Sequence, residues 1–265
     1  MNAANNETVL ITGASSGIGL ELARCFAADG CRLVLLARNT GALETLAGEL
    51  RQAYQAEVIV LTIDLSRPET PAHVFKELLG RGVGVDVLVN NAGFGANGVF
   101  AELPLQRQLE MVQVNITALT NLTGLFLPGM IERRRGGLLN VGSLAGFMPG
   151  PGMAVYFATK AYVLSFTEAL AEELADSGLT VTALCPGPTT TNFGNISHGN
   201  KMRQLNTPKM AAATVARHGH RAYRHGKLLA IPGRQYRFLV LLIRILPRWC
   251  VRKLAGMFNR TKAQG

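Results

Sequence analysis

The chain is expected to fold as one doubly wound, Rossmann-type α/β domain, a single parallel sheet with helices on both faces. Three features of the sequence carry that expectation. Short runs rich in Val, Ile and Leu alternate with segments whose apolar residues recur at helical spacing. The runs are almost continuously apolar, as strands buried on both faces are. A glycine-rich turn, "TGASSGIG" (12–19), joins the first run to the first helical segment. Strands alternating with helices in this way require right-handed crossovers and a parallel sheet.

"TVLITG" (Thr8–Gly13) is β-branched and ends in glycine, so it reads as a strand; Ile18, Leu22 and Phe26 then mark one face of a helix. The alternation continues with strand 31–38, helix 41–53, strand 57–65, a helix near 69–80 and strand 85–93. A long helical region carrying Leu109, Val112, Ile116 and Leu119 precedes the strand "LLNVGS" (138–143). A helix containing "YFATK" (156–160) runs to Leu174 and feeds the strand "LTVTALCPG" (179–187). The last strand, "KLLAIPG" (227–233), follows a helix expected to start at Thr207 and Pro208, a cap and first-turn pair.

A chain of 265 residues with 48% hydrophobic composition buries a substantial core as one domain. We take residues 1–233 as that domain, with 1–7 expected to be disordered, and 234–265 as a basic, amphipathic helical extension. Four cysteines without CxxC spacing and the lack of a secretory leader point to reduced thiols and a cytoplasmic location. No run of 18 uninterrupted apolar residues suggests a membrane-spanning helix. The net charge of +10 is unevenly placed: residues from Gly178 onward hold 15 of the 27 Lys and Arg and none of the 17 Asp and Glu. The body therefore carries −5 and the remainder +15. No base-reading motif accompanies this charge, so nucleic acid is not an expected partner. His218, His220 and His225 lie in a segment expected to be a solvated helix, with no acid near them in sequence, and no metal is expected.

The turn between the first strand and helix has the form of a phosphate cradle. Gly13 permits a tight turn, Gly17 lets backbone approach a pyrophosphate, and Gly19 lets the helix pack closely on the sheet. The helix N-terminus then offers N–H groups to the phosphates, with Ser15 and Ser16 adding hydroxyls. A purely structural turn is the alternative. At the end of the second strand, where an acid would grip the adenosine ribose, the chain has Ala37 and Arg38. An arginine pairs a 2′-phosphate in two-pronged fashion, so NADP(H) is favoured over NAD(H).

In "YFATK" the i,i+4 spacing puts Tyr156 and Lys160 on one helix face. "TGASSGIG", Asp64, "NNAG" (90–93), Asn115, Ser143, "YFATK" and "PGPTTT" (186–191) stand together in the order and spacing of one family. Over roughly residues 8–193 the chain resembles a short-chain dehydrogenase/reductase of the type called classical.

The resemblance implies interconversion of a carbonyl and a secondary alcohol, with hydride passing between a nicotinamide and the substrate carbon. Its catalytic set would be Asn115, Ser143, Tyr156 and Lys160. Tyr156 would protonate the carbonyl oxygen, and Ser143 would hold that oxygen. Lys160 would also bond the nicotinamide ribose, and Asn115 would support a water-linked proton path. A cation some 4 Å from the phenol, at an effective dielectric of about 20, is worth roughly 4 kcal/mol. Lys160 is therefore expected to lower the phenol's pKa against the desolvation that opposes it. The cofactor set would be Gly13, Ser15, Ser16, Gly17, Ile18, Gly19, Arg38, Asp64, Asn90, Tyr156, Lys160 and Thr191. Turn-forming and loop roles remain the alternatives for Asp64 and Thr191. A non-catalytic, NADP(H)-binding regulatory or scaffold protein is the rival reading of the whole chain.

Phe94, "GFMPGPGM" (146–153) and Phe193 with "NISHGNKMRQLN" (195–206) offer apolar surface beside the site. A hydrophobic ketone, aldehyde or acyl-chain 3-oxo thioester fits such a pocket. In the extension, Phe238, Leu241, Leu242 and Ile245 make an apolar face, Arg237, Arg244, Arg248 and Arg252 an opposing basic one, and Pro247 should divide the helix. Peripheral contact with an anionic membrane and packing as a lid or homo-oligomer contact both stay open.

Overall fold

A computed structural model describes residues 7–191 and 209–259. Its strands are β1 (Thr8–Thr12), β2 (Arg32–Ala37), β3 (Val58–Thr62), β4 (Val87–Asn90), β5 (Gly137–Val141), β6 (Thr180–Leu184) and β9 (Leu229–Ala230). They form one seven-stranded sheet in the order β3-β2-β1-β4-β5-β6-β9, every pairing parallel. Two further short strands, β7 (Thr189–Thr190) and β8 (Met210–Ala211), pair with each other. The strand order reverses between β1 and β4, and open α/β sheets bind ligands at such a switch point, beyond the carboxyl ends of the strands.

Alternation along the strands divides the core into two layers, which is why each strand reads as apolar throughout. Val9, Ile11, Leu33, Leu35, Val87 and Val89 face α1 (Gly17–Ala28), α2 (Thr40–Tyr54) and α7 (Ala212–Arg224). Leu10, Val34, Leu36 and Leu88 face α3 (Thr70–Gly80), α5 (Leu119–Arg133) and α6 (Ala154–Glu173). A third cluster joins Leu144, Leu164, Ala183, Cys185 and Ile231 to Tyr236 and Val240 of α8 (Arg234–Ile245). The final helix is α9 (Arg248–Asn259), so Pro247 divides the extension as expected.

Four expectations need correction. The long helical region is α4 (Leu105–Val112), a π-helical segment (Gln113–Ala118) and α5, because a π turn interrupts the ladder around Asn115. Among the described residues the run Leu105–Arg133 alone has the length and hydropathy to cross a membrane. It also supplies Met111, Ala118, Leu122, Phe126 and Met130 to the interior, as a core helix does.

The helix expected from Thr207 and Pro208 begins at Ala212, after β8; Thr207 and Pro208 themselves lie outside the described residues. That helix, α7, is not a solvated one: Val215, Ala216, Ala222 and Tyr223 are buried in the layer that holds α1. His220 meets Asp29 at 2.8 Å, an acid 191 residues away in sequence, and His218 meets Arg237. Glu7, expected to be disordered, pairs with Arg224.

Candidate active site

The glycine turn is shaped by what surrounds it. Gly13 and Gly17 hold φ of +64° and +58°, the left-handed region that side chains disfavour. A Cβ on Gly13 would lie 2.9 Å from Asn91 Nδ2, and one on Gly19 2.5 Å from the Gly13 carbonyl. Asn91 closes the turn by donating from Nδ2 to the carbonyls of Thr12 (2.8 Å) and Gly13 (3.2 Å). Thr12 Oγ1 accepts the N–H groups of Asn91 (3.0 Å) and Ala92 (2.9 Å). Strands β1 and β4 are thus tied together at their carboxyl ends.

Ser16 precedes α1 without capping it through its side chain, and the first turn holds no acid. The positive end of that helix dipole therefore remains open to an anion. Ser15, Ser16 and Ile18 are half-buried around it. A Cβ on Gly17 would lie 3.0 Å from Thr191 Cγ2, so the loop after β6 brings Thr191 over the turn. Arg38 stands exposed past the end of β2, with no acid beside it in sequence. These residues fit a dinucleotide carrying an extra phosphate.

Two of the expected contact residues also have partners within the chain. Asn90 is buried, and its Nδ2 donates to Asn140 Oδ1 (2.9 Å) and Thr123 Oγ1 (3.2 Å). Asn140 in turn donates to Thr167 Oγ1 at 2.9 Å, which continues the ladder from β4 through β5 to α6. The Asn90 side chain thus braces the sheet. Asp64 accepts the Ser66 N–H at 2.9 Å, so one carboxylate oxygen forms the turn after β3.

Ser143, Tyr156, Lys160 and Asn115 converge. Ser143 follows β5 in extended backbone, and its Oγ accepts the Ala145 N–H at 3.1 Å. Tyr156 enters from the first turn of α6 and is hydrogen-bonded to Ser143. Lys160, one turn on, is buried, with Nζ donating to the Val141 carbonyl at 2.8 Å. Asn115 Oδ1 accepts the Phe94 N–H (3.1 Å), while Nδ2 donates to the Phe94 carbonyl (3.0 Å) and Thr159 Oγ1 (3.0 Å). Thr159 Oγ1 donates to the Tyr156 carbonyl at 2.7 Å. The Asn115 side chain therefore locks the loop after β4 to the helix that carries the phenol.

Gly93 leaves the space between these groups. A Cβ there would meet Asn115 Oδ1 at 3.0 Å and Lys160 Nζ at 3.5 Å. Thr12, Asn91, Gly93 and Thr159 are the site residues that the motifs contained but that were given no separate role. Cys185 had no motif signal. Its buried thiol is hydrogen-bonded to the Ser143 backbone and lies close enough to Lys160 to feel its charge. Phe94, expected as apolar pocket wall, carries the Arg107 guanidinium 4.0 Å from its ring centroid. Phe193 and the segment 195–206 lie outside the described residues.

Burial sets the electrostatics. Desolvation pushes Tyr156 up to about 12, with the Ser143 hydrogen bond acting in the opposite direction. Tyr156 keeps partial solvent contact, but dense surrounding protein strips most water from it. The same desolvation pushes Lys160 down to about 8 and Cys185 up to about 12. The lowering of the phenol's pKa expected from Lys160 is not found: removal of water dominates, and the Ser143 hydrogen bond is what opposes it.

A family model described as short chain dehydrogenase matches residues 7–200. The chain is 42% identical over 190 residues to a putative ketoacyl reductase of Streptomyces coelicolor, covering 71% of this chain and 72% of that protein. It is 37% identical over 177 residues to a very-long-chain 3-oxoacyl-CoA reductase of Laccaria bicolor, covering 65% of this chain. It spans about half the length of that relative and of a second reductase of the same name, 52% and 51%. A solved structure of a short-chain dehydrogenase from Sphingobium yanoikuyae in complex with NADPH superposes with a TM-score of 0.81 at 32% identity, covering 98% of both chains.

Lys160 makes the protein's stability depend on pH in a fixed direction. Its folded value, about 8, lies below its ordinary value of 10.5, so between these the unfolded state binds more protons and stability rises with pH. Tyr156 and Cys185 have the opposite sign, since their raised values favour the folded state until pH passes their ordinary values. Both remain in a Lys160→Met variant. Urea unfolding should show the variant's advantage over the parent shrinking by roughly 3 kcal/mol from pH 7 to pH 10.5. A constant difference would refute the buried amine's low value.

Proposed function

The chain belongs to the short-chain dehydrogenase family, and on that premise we propose that it is an NADPH-dependent reductase of apolar or acyl-chain carbonyls. One observation carries the reading: a phenol hydrogen-bonded to Ser143 and one turn from a buried ammonium, at the switch point where the glycine turn opens. The names of the relatives, ketoacyl reductase and very-long-chain 3-oxoacyl-CoA reductase, support an acyl-chain 3-oxo substrate.

Gly13, Gly17 and Gly19 with the α1 N-terminus would hold the pyrophosphate, Arg38 the 2′-phosphate, and Thr191 and Lys160 the nicotinamide half. NADPH, when bound, supplies the hydride that reduces the carbonyl carbon. Ser143 donates a hydrogen bond to the carbonyl oxygen and stabilises its growing negative charge. Tyr156 gives that oxygen its proton. A phenol held near 12 is protonated throughout the neutral range, so the site is charged with its acid and set for reduction.

Lys160 is anchored by the Val141 carbonyl; one turn from Tyr156, its charge would favour the proton's departure as the phenolate forms. With the Asn115 amide wholly engaged, a proton path to Lys160 would run along the backbone of the π turn and not through the side chain. The convergence of Ser143, Tyr156, Lys160 and Asn115 supports a catalytic reading over a non-catalytic scaffold. A cytoplasmic setting is compatible with four free thiols among the described residues. Exposed Leu105 and Leu109 on α4 support self-association into a homo-oligomer.

Two measurements test the reading. Turnover of 3-oxoacyl thioesters and bulky ketones with NADPH should be present in the native chain and fall by at least about 10²-fold in Tyr156→Phe with NADPH affinity retained. Absence of turnover across such a panel would remove the proposal. Arg38→Ala should weaken NADPH binding by about 10-fold or more and leave NADH binding nearly unchanged, consistent with losing a charge-assisted contact. Equal losses would show that Arg38 does not read the phosphate.

A further inference from the structure

The two helices that end the described chain present an apolar surface that no other described residue covers. On α8, Tyr236 and Val240 are buried on the domain, and Gly187 makes room for the tyrosine, since a Cβ there would lie 2.6 Å from its ring. Phe238 and Leu242 stand two residues further along, about 200° round the helix, on the outward side. Phe238 is 69% exposed, Leu241 58% and Ile245 81%. On α9, Val251 and Ala255 point inward while Trp249 is 58% exposed. The side facing the domain is that of Tyr236, Val240, Val251 and Ala255, so the expected basic residues Arg237, Arg244, Arg248 and Arg252 are exposed too and, with Arg234 and Lys253, border the apolar surface.

We propose that this helix pair docks the protein on an anionic lipid bilayer, with the apolar side chains entering the interface and the bordering cations meeting lipid phosphates. Charge selects the occupant. Every titratable side chain in α8 and α9 apart from Tyr236 and Cys250 is a cation, and no acid follows Asp176 anywhere in the chain. Glu168, 3.8 Å from Arg244, is the acid that reaches α8 from the domain among the described residues. A second copy meeting this face about a twofold axis would oppose cations to cations. An anionic membrane complements both the charge and the apolar residues, and Trp249 is of the type that favours bilayer interfaces.

Docking would also place the site. Tyr236 and Val240 share a cluster with Leu144, which directly follows Ser143. Gly256 lies against Pro151, with 3.6 Å between a Cβ placed there and Pro151 Cγ. The rim of the candidate site is thus the surface on which the helices rest, and the bilayer would lie beside the entrance for an apolar substrate. The docking itself does not depend on the catalytic reading.

Trp249 is the chain's only tryptophan, so its emission reports on this face alone. The full chain would be mixed with phosphatidylcholine vesicles with and without phosphatidylglycerol, and bound protein measured by co-sedimentation. Binding to anionic vesicles, a blue shift of Trp249 and quenching by brominated lipid are expected. Phe238→Ser with Ile245→Ser should abolish the shift while circular dichroism stays native, because both side chains are exposed. Arg248→Gln with Arg252→Gln should lower partitioning on the order of 30-fold. An unbound native chain at low salt, or equal binding by the serine variant, would overturn the proposal. So would self-association that the serine variant abolishes without any vesicle binding by the parent.

Discussion

Two groups that prefer charge, a phenol losing its proton and an amine holding one, are kept almost without water at one end of one helix. That shared desolvation is the constraint on which the site depends. It drives Tyr156 up to about 12 and Lys160 down to about 8, so two values that ordinarily lie close together move apart and each group is biased toward its neutral form. Neither group could be held there without partners, because an unpaired buried polar group is costly. Ser143 satisfies the phenol, and the Val141 carbonyl satisfies the amine. Both partners come from the end of β5, so one strand and one helix determine the geometry of the proton donor.

The sheet topology supplies the rest. Strands β1, β4, β5 and β6 end at the same edge, and each contributes a different part: the glycine turn, the Asn91 clasp, Ser143 and the Cys185 thiol behind it. Beneath them the ladder Asn90, Asn140 and Thr167 links β4, β5 and α6 through buried hydrogen bonds. Although Asn90 Oδ1 has no partner among the described residues, the donors of this buried ladder are paired and favour one arrangement over its neighbours, since a shift would leave them unpaired. The Asn115 clasp does the same for the loop that carries Phe94.

The sheet and the position of the site were legible because both depend on local pattern. Continuous Val, Ile and Leu announce strands buried twice, and glycine between strand and helix announces a turn with free N–H groups. Tyr156, Lys160 and Ser143 were legible through the resemblance, since Tyr and Lys at i,i+4 spacing occur in many helices and gain meaning only beside the other motifs in register. The sign of the phenol's pKa was not, since it depends on how many atoms surround it and not on which residue stands four places away. The sheet-bracing part of Asn90 was legible from its motif, but its partners Asn140 and Thr123, 50 and 33 residues away, are not readable from local pattern. His220 was assigned to a solvated helix because Asp29 is distant in sequence and near only after folding. In the extension the apolar stripe was visible, but which stripe faced the domain required the packing of Tyr236 and Val240.

The state of the phenol is open to direct observation. Ultraviolet difference titration of the cofactor-free chain against its Tyr156→Phe variant isolates one tyrosinate band. Desolvation as the dominant force places that band's midpoint near 12. A midpoint at or below the ordinary tyrosine value of about 10 would contradict it and show that the neighbouring ammonium governs the site instead.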